Sequence, residues 1–237
     1  GPWQNWVGMS PDASSPYYCY AYSMYVYSDT ARTFLFRNNN VRYYQTNQTA
    51  AGDVCYWYGY VNAIISNVTM NITHKATGTS AFVSQQNSLM TWWMDNVTVD
   101  YITTGPNYGT GGCMFSVFSN TVLYANNSQF RMRNDGGMFT YNMFRYCGGM
   151  KAYFQNCDLS YNQGGGTRTD LQELRPMGWM GYAYGTTELL RFANSTFTIT
   201  VRDEPAMLNT FHLRGAMNKI EFDNSSLIFN MSAPGSV

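Results

Sequence analysis

Eight Asn-x-Ser/Thr triplets carry the densest chemical signal in this 237-residue chain. Each is an acceptor for N-linked sugar, headed by Asn47, Asn67, Asn71, Asn96, Asn126, Asn194, Asn224 and Asn230. Acid–base groups are sparser. His212 and Arg214 lie two apart, a spacing that sets a general base beside an anion clamp on one strand face. The plainer reading, a surface pair on a solvated sheet, is the expectation. His74 follows a strand end, and two isolated histidines do not build a metal site. Asp95, Asp100, Asp158 and Asp223 are dispersed, whereas acid–base work by two carboxylates needs them within about 10 Å. No catalytic residue, metal or cofactor is expected.

Two further features could do chemistry. The stretch GGGTRTDLQELRPMGWMGYAYG (164–185) holds Arg168, Asp170, Glu173, Arg175 and Trp179. Trp179 with Tyr182 and Tyr184 could stack on a sugar ring, or the loop could simply fold its aromatics over the body of the protein. The five cysteines show no CxxC. Cys19 with Cys55, and Cys113 with Cys147, are the expected disulfides, leaving Cys157 over.

The elements that would position these residues follow from a repeat. FANSTFTI (192–199) and FDNSSLIF (222–229) share the spacing apolar–x–Asn–x–x–apolar–x–apolar. The same spacing recurs about Asn38, Asn67, Asn96, Asn127 and Asn156, at intervals of 29, 29, 31, 29, 38 and 30 through Asn224. Across seven windows all 28 residues at −4, −2, +3 and +5 are apolar, where 45% apolar composition predicts only about 13. At −1, +2 and +4 only Ala193 and Ile228 are apolar.

Period two on both sides of the anchor means two short strands with one buried face each. The phase slips at the anchor, so the chain bends there, and Asn tolerates the left-handed conformation such a bend needs. Sharing the phase of −4 and −2, the anchors Asn38, Asn67, Asn96, Asn127, Asn156, Asn194 and Asn224 are expected to point inward as a hydrogen-bonded ladder. On that reading sugar belongs on the outward Asn71, Asn126 and Asn230 and the connector Asn47, in preference to Asn67, Asn96, Asn194 and Asn224. A looser third strand starts 13 residues before an anchor at MFSVF (114–118), MFRYC (143–147), GYAYG (181–185) and FHLRG (211–215). A leucine-rich repeat would place an apolar residue at +2, and a hexapeptide helix would need a much shorter coil. The expected fold is all-β: a right-handed parallel β-helix of about seven coils, roughly 30 residues each. Residues 34–237 form it, with a loop insertion at 164–185, and 1–33 supply a Tyr-rich first partial coil.

The sequence resembles the right-handed β-helix, pectin-lyase-like superfamily. Its finer texture is similar to polymorphic outer-membrane and adhesin-like surface proteins, in NNSQFRMRNDGGMF (126–139) and FQNCDLSYNQGGG (154–166). The superfamily includes pectate lyases and polygalacturonases, but their Asp, His and Arg signature series are not found here. The resemblance therefore implies a fold rather than an activity.

Composition bounds the rest. Lys+Arg and Asp+Glu balance at 14 each with 12% charged residues, which excludes a net basic surface for nucleic acid or anionic membrane. No apolar run is long enough to span a bilayer. Low charge with 20 Tyr suits a secreted or surface-exposed β protein, expected to be a processed piece of something longer. The expected function is a non-enzymatic structural or adhesive β-helix of a glycosylated surface filament, self-associating end to end. The alternative is a β-helix that binds or cleaves a polysaccharide.

Overall fold

The computed structural model describes residues 19–45, 50–74, 80–85, 90–104, 113–117, 120–134, 143–146, 150–163, 177–179, 187–201, 210–212 and 219–231. The chain opens with β1 (Cys19–Gln45), β2 (Ala50–His74), β3 (Phe82–Gln85) and β4 (Met90–Thr103). Next come β5 (Phe115–Val117), β6 (Thr121–Asn126), β7 (Gln129–Asn134), β8 (Phe144–Tyr146), β9 (Met150–Gln155) and β10 (Asp158–Gln163). It closes with β11 (Met177–Trp179), β12 (Thr187–Ala193), β13 (Thr196–Val201), β14 (Phe211–His212), β15 (Lys219–Asp223) and β16 (Ser226–Met231).

Every pairing is parallel and joins one turn of the chain to the next, so the strands stack in three columns. The first column runs β1, β2, β3, β5, β8, β11, β14. The second, before each anchor asparagine, runs β1, β2, β4, β6, β9, β12, β15. The third, after it, runs β1, β2, β4, β7, β10, β13, β16. This is an all-β parallel solenoid with about 30 residues per turn. Each layer cannot bury its apolar face alone, and the layers above and below do so for it.

All seven anchors have positive φ, between 46° and 54°. They form the sharp corner between the second and third columns. The residues at −4, −2, +3 and +5 fill the interior, where Trp57, Trp92, Tyr101, Phe115, Phe130, Phe154 and Phe192 are fully buried. Aromatic rings stack from layer to layer. Phe82, Phe115 and Phe144 stand 5.0 and 4.4 Å apart, and Phe154, Phe192 and Phe222 stand 5.1 and 4.8 Å apart.

One strand differs from the sequence reading. The third strand of the sixth layer is Met177–Trp179, paired with β8 and β14, and not GYAYG at 181–185, which lies outside the described residues. Met177 continues the inward column of Phe82, Phe115, Phe144 and Phe211, which the small Gly181 or Ala183 could not fill. The extra residues of this turn are therefore divided between both sides of β11.

The cysteine expectation is also corrected. Cys55, Cys113 and Cys157 are buried thiols that form no disulfide. Cys19 lies opposite Ala50 while Cys55 lies opposite Met24. That offset separates the two cysteines by roughly 16 Å along the strand, far beyond disulfide reach. The Cys113 sulfur lies 3.6 Å from the Ser80 hydroxyl; Cys147 lies outside the described residues. Burial pushes the Cys157 thiol up to about 11, and Cys55 is raised further by burial and the nearby Asp53. At pH 8 a thiol like Cys157 is thiolate in roughly one molecule in a thousand. Iodoacetamide should therefore leave Cys55 and Cys157 unmodified in the native protein and label both in denaturant. Rapid native labelling of Cys157, followed by peptide mapping, would contradict this packing.

Candidate functional site

The corner builds the outer face. The anchors Asn38, Asn67, Asn96, Asn127, Asn156, Asn194 and Asn224 are exposed, which corrects their expected inward orientation. A left-handed residue interrupts the pleat, so −2 and +1 both point inward and the anchor between them points out. The inward positions are Val68, Val97, Ser128, Cys157 and Ser195, each buried. Their side chains are small because the inside of a tight corner is crowded.

The serines at +1 repeat one hydrogen-bond pattern. Ser195 Oγ donates to Ala193 O at 2.8 Å and accepts from Cys157 N at 3.0 Å. Ser128 Oγ donates to Asn126 O at 2.7 Å and accepts from Val97 N at 3.1 Å. Ser225 Oγ donates to Asp223 O at 2.9 Å and accepts from Ser195 N at 3.0 Å. The middle residue of the Asn194 and Asn224 triplets thus holds adjacent layers in register.

Outside, the anchor amides form a ladder with one direction. Asn67 Nδ2 donates to Asn38 Oδ1 at 3.0 Å, Asn96 to Asn67 at 2.9 Å, and Asn224 to Asn194 at 2.7 Å. Asn156 donates to Asn127 Oδ1 at 3.3 Å and Asn126 Oδ1 at 3.4 Å. Asp95 interrupts the run, its carboxylate accepting from both Asn126 and Asn127 at 3.2 Å. Exposed links contribute little, and those of Asn156 are also long, so this anchor acts mainly through its backbone. Asn156→Ala should cost about 1–2 kcal/mol, because Ala lacks the short polar side chain that lets Asn tolerate φ 52°. Asn156→Gly, which loses the same amide but adopts that conformation freely, should cost less. Thermal melts with Gly as costly as Ala would return the role to the amide.

Beside the ladder runs a surface that the binary pattern missed. The outward −3 positions of the second column are Leu35, Ile64, Trp93, Tyr124 and Tyr153, before Arg191 and Glu221 take over. Trp93 is 43% exposed and Tyr124 41%. Their rings are nearly parallel, with Trp93–Tyr124 centroids 6.1 Å apart at 15° and Tyr124–Tyr153 centroids 4.9 Å apart at 12°. Two residues along each strand, at −1, stands a polar row of Ser66, Asp95, Asn126 and Gln155. Between the two rows lies a groove of about 220 Å³ lined by both. Five successive apolar residues in an outward column were the sequence signal for it.

The other described candidates lie outside this groove. His74 is buried, its ring edge-on to Tyr101 at 4.9 Å. His212 pairs with Gly178 in the first column; Arg168, Asp170, Tyr182, Tyr184 and Arg214 lie outside the described residues, and Trp179 is placed only by its backbone in β11. Asp100 pairs with Arg131 at 2.6 Å on the third column, and Asp223 with Arg191 at 3.3 Å. Asp158 is exposed on β10. Among the described residues no group of His, Cys, Asp or Glu is placed to hold a metal ion, and no helix is long and apolar enough to cross a membrane. Of the outward sequon residues, Asn71 is exposed and Asn230 donates to Thr200 Oγ1 at 3.5 Å. Asn126 is half-buried, its amide engaged with Asp95 and Asn156, and Asn47 lies outside the described residues.

Comparison of the chain with family models, curated proteins and solved structures returns no match. The function rests on the site itself.

Proposed function

We propose that the chain is a non-enzymatic structural and adhesive module of a secreted or cell-surface glycoprotein, a rod with a binding stripe along one side. The observation that carries this reading is the outward stacked column of exposed Trp93 and Tyr124 and half-buried Tyr153 beside a polar row. Large contiguous aromatics left outward on a sheet mark a contact surface. Eight sequons and the low charge favour the extracellular setting. Kinship with the right-handed β-helix, pectin-lyase-like superfamily and with adhesin-like surface proteins belongs to the same proposal, on the strength of the asparagine corners. Beads carrying the chain should adhere to surfaces coated with extracellular polysaccharide or protein, and the Trp93→Ala/Tyr124→Ala variant should not. Adhesion indifferent to that change overturns the reading, and new sugar ends released from a polysaccharide overturn it in favour of a carbohydrate-cleaving alternative.

Glycosylation gives an independent check on the setting. A sugar at an anchor replaces one amide hydrogen within the ladder. Intact glycopeptide mass spectrometry of chain secreted from eukaryotic cells should find occupancy at Asn71 and Asn230, and at the connector Asn47, ahead of Asn67, Asn96, Asn126, Asn194 and Asn224. Occupancy confined to the anchors would refute that order.

A second reading, end-to-end self-association into a filament, is favoured by the last described layer. Phe222, Phe229 and Met231 are 40%, 47% and 41% exposed, while Phe192, Ile199 and Val201, one layer below in the same columns, are at most 1% exposed. A second copy stacked there would cover them. Sedimentation should show chains longer than one copy, abolished by Phe229→Lys; a monomer at high concentration rejects this contact.

A further inference from the structure

We infer that the groove between the aromatic column and the polar row binds a linear, uncharged polysaccharide lying along the solenoid axis, about one sugar per layer. This rests on the adhesive reading and names its ligand. The chemistry on the two walls is what a pyranose chain presents. A sugar ring has apolar C–H faces and a rim of hydroxyls. Here Trp93, Tyr124 and Tyr153 form one wall, while Asp95, Asn126 and Gln155 offer carboxylate and amide groups on the other.

Ring geometry leaves surface for the ligand. Parallel rings in contact have atoms about 3.5–4.0 Å apart. The Tyr124–Tyr153 centroids, 4.9 Å apart at 12°, are therefore offset like shingles. Each ring covers part of its neighbour and leaves an edge and part of a face open. At Trp93–Tyr124 the centroid spacing widens to 6.1 Å, leaving more of the indole uncovered.

Length and charge select the ligand. Layers repeat at about 4.8 Å, close to the advance of one pyranose in an extended chain, so a linear glycan meets equivalent groups at every step. A protein strand laid along the axis would find no backbone partners, because the sheet's own N–H and C=O groups are paired between layers. Asp95 is the one charged lining residue, and it is negative. Nothing in the lining neutralises a polyanion, so a uronate polymer is disfavoured. The groove ends where Arg191 replaces the aromatic column and pairs with Asp223 at 3.3 Å.

Calorimetric titration of the whole chain with linear neutral gluco-, manno- and xylo-oligosaccharides of two to eight residues provides the test. At least one series should bind, with affinity rising to about four residues and then levelling. Oligogalacturonate of equal length should bind at least tenfold more weakly. Trp93→Ala and Tyr124→Ala should each reduce affinity at least fivefold with the circular dichroism spectrum unchanged and the protein fully folded at the assay temperature. Absence of binding by every neutral series, preference for the uronate, or affinity unchanged in both variants overturns the inference. Beads that still adhere to protein-coated surfaces while no glycan binds would sink the glycan assignment alone. Beads that adhere to nothing would sink the adhesive reading with it.

Discussion

Phe115→Ala is expected to destabilise the protein by about 3–5 kcal/mol and to divide its unfolding into two steps. Phe115 sits in the middle layer, fully buried. Its ring stacks on Phe82 at 5.0 Å below and Phe144 at 4.4 Å above, and meets Phe130 edge-on at 5.3 Å. Truncation removes the transfer free energy of the ring, leaves a cavity between stacked layers that cannot close, and breaks aromatic pairs worth about 0.5–1.5 kcal/mol each. Position matters as much as size. In a solenoid each layer touches only its neighbours, so stability is close to a sum of layer and interface contributions. Weakening one central interface uncouples β1–β4 from β8–β16. Urea unfolding should shift to lower midpoint and become biphasic, with a reduced apparent slope. Phe115→Leu, which keeps most of the volume, should cost less and remain single-step. An alanine variant with the parent's midpoint would mean the first column does not carry the core.

The core was legible in the sequence because its physics is periodic. Alternation at −4, −2, +3 and +5 identifies the buried faces whatever the register of the corner, and the residues at those positions supply most of the interior. The orientation of the asparagines was not legible from that alternation. Extending period two through the anchor turns it inward, whereas a left-handed residue consumes one position of the pleat. The +1 column, small in Val68, Val97, Ser128, Cys157, Ser195 and Ser225, held the answer. The outer stripe was obscured for the opposite reason. Outward columns are expected to be polar, and Trp93, Tyr124 and Tyr153 break that expectation at a surface. Where turn length varies, as around β11, no periodicity constrains the alignment, and only the size of Met177 marks the strand.

Gly59→Ala is expected to cost about 2–4 kcal/mol and to open the first described layers selectively. Gly59 is the one described glycine with positive φ, 81°, and Ser28 is its partner across the β1–β2 pairing. At this corner β1 carries Asp29, Thr30 and Ala31 between Ser28 and Arg32, where β2 has only Tyr60 between Gly59 and Val61. The longer path brings the Ser28 carbonyl over the Gly59 α-carbon. A Cβ there would lie 2.1 Å from Ser28 O and 3.1 Å from Ser28 C, both backbone atoms with no rotamer to yield. Two costs therefore combine: a side chain at a dihedral that L residues avoid, and separation of two strands at a paired position. Relief comes most readily by peeling β1 from β2, because β1 is held to the described solenoid through that pairing. Hydrogen exchange should accelerate through β1 and the first column of β2 in Gly59→Ala, while β9, β10, β12 and β13 keep their protection. Gly59→D-Ala, made by semisynthesis, places its methyl away from Ser28 and suits the positive φ, so it should restore the parent's exchange. Acceleration spread evenly over all layers would show that the rod unfolds as one body, and no acceleration in β1 would show that the corner can move aside.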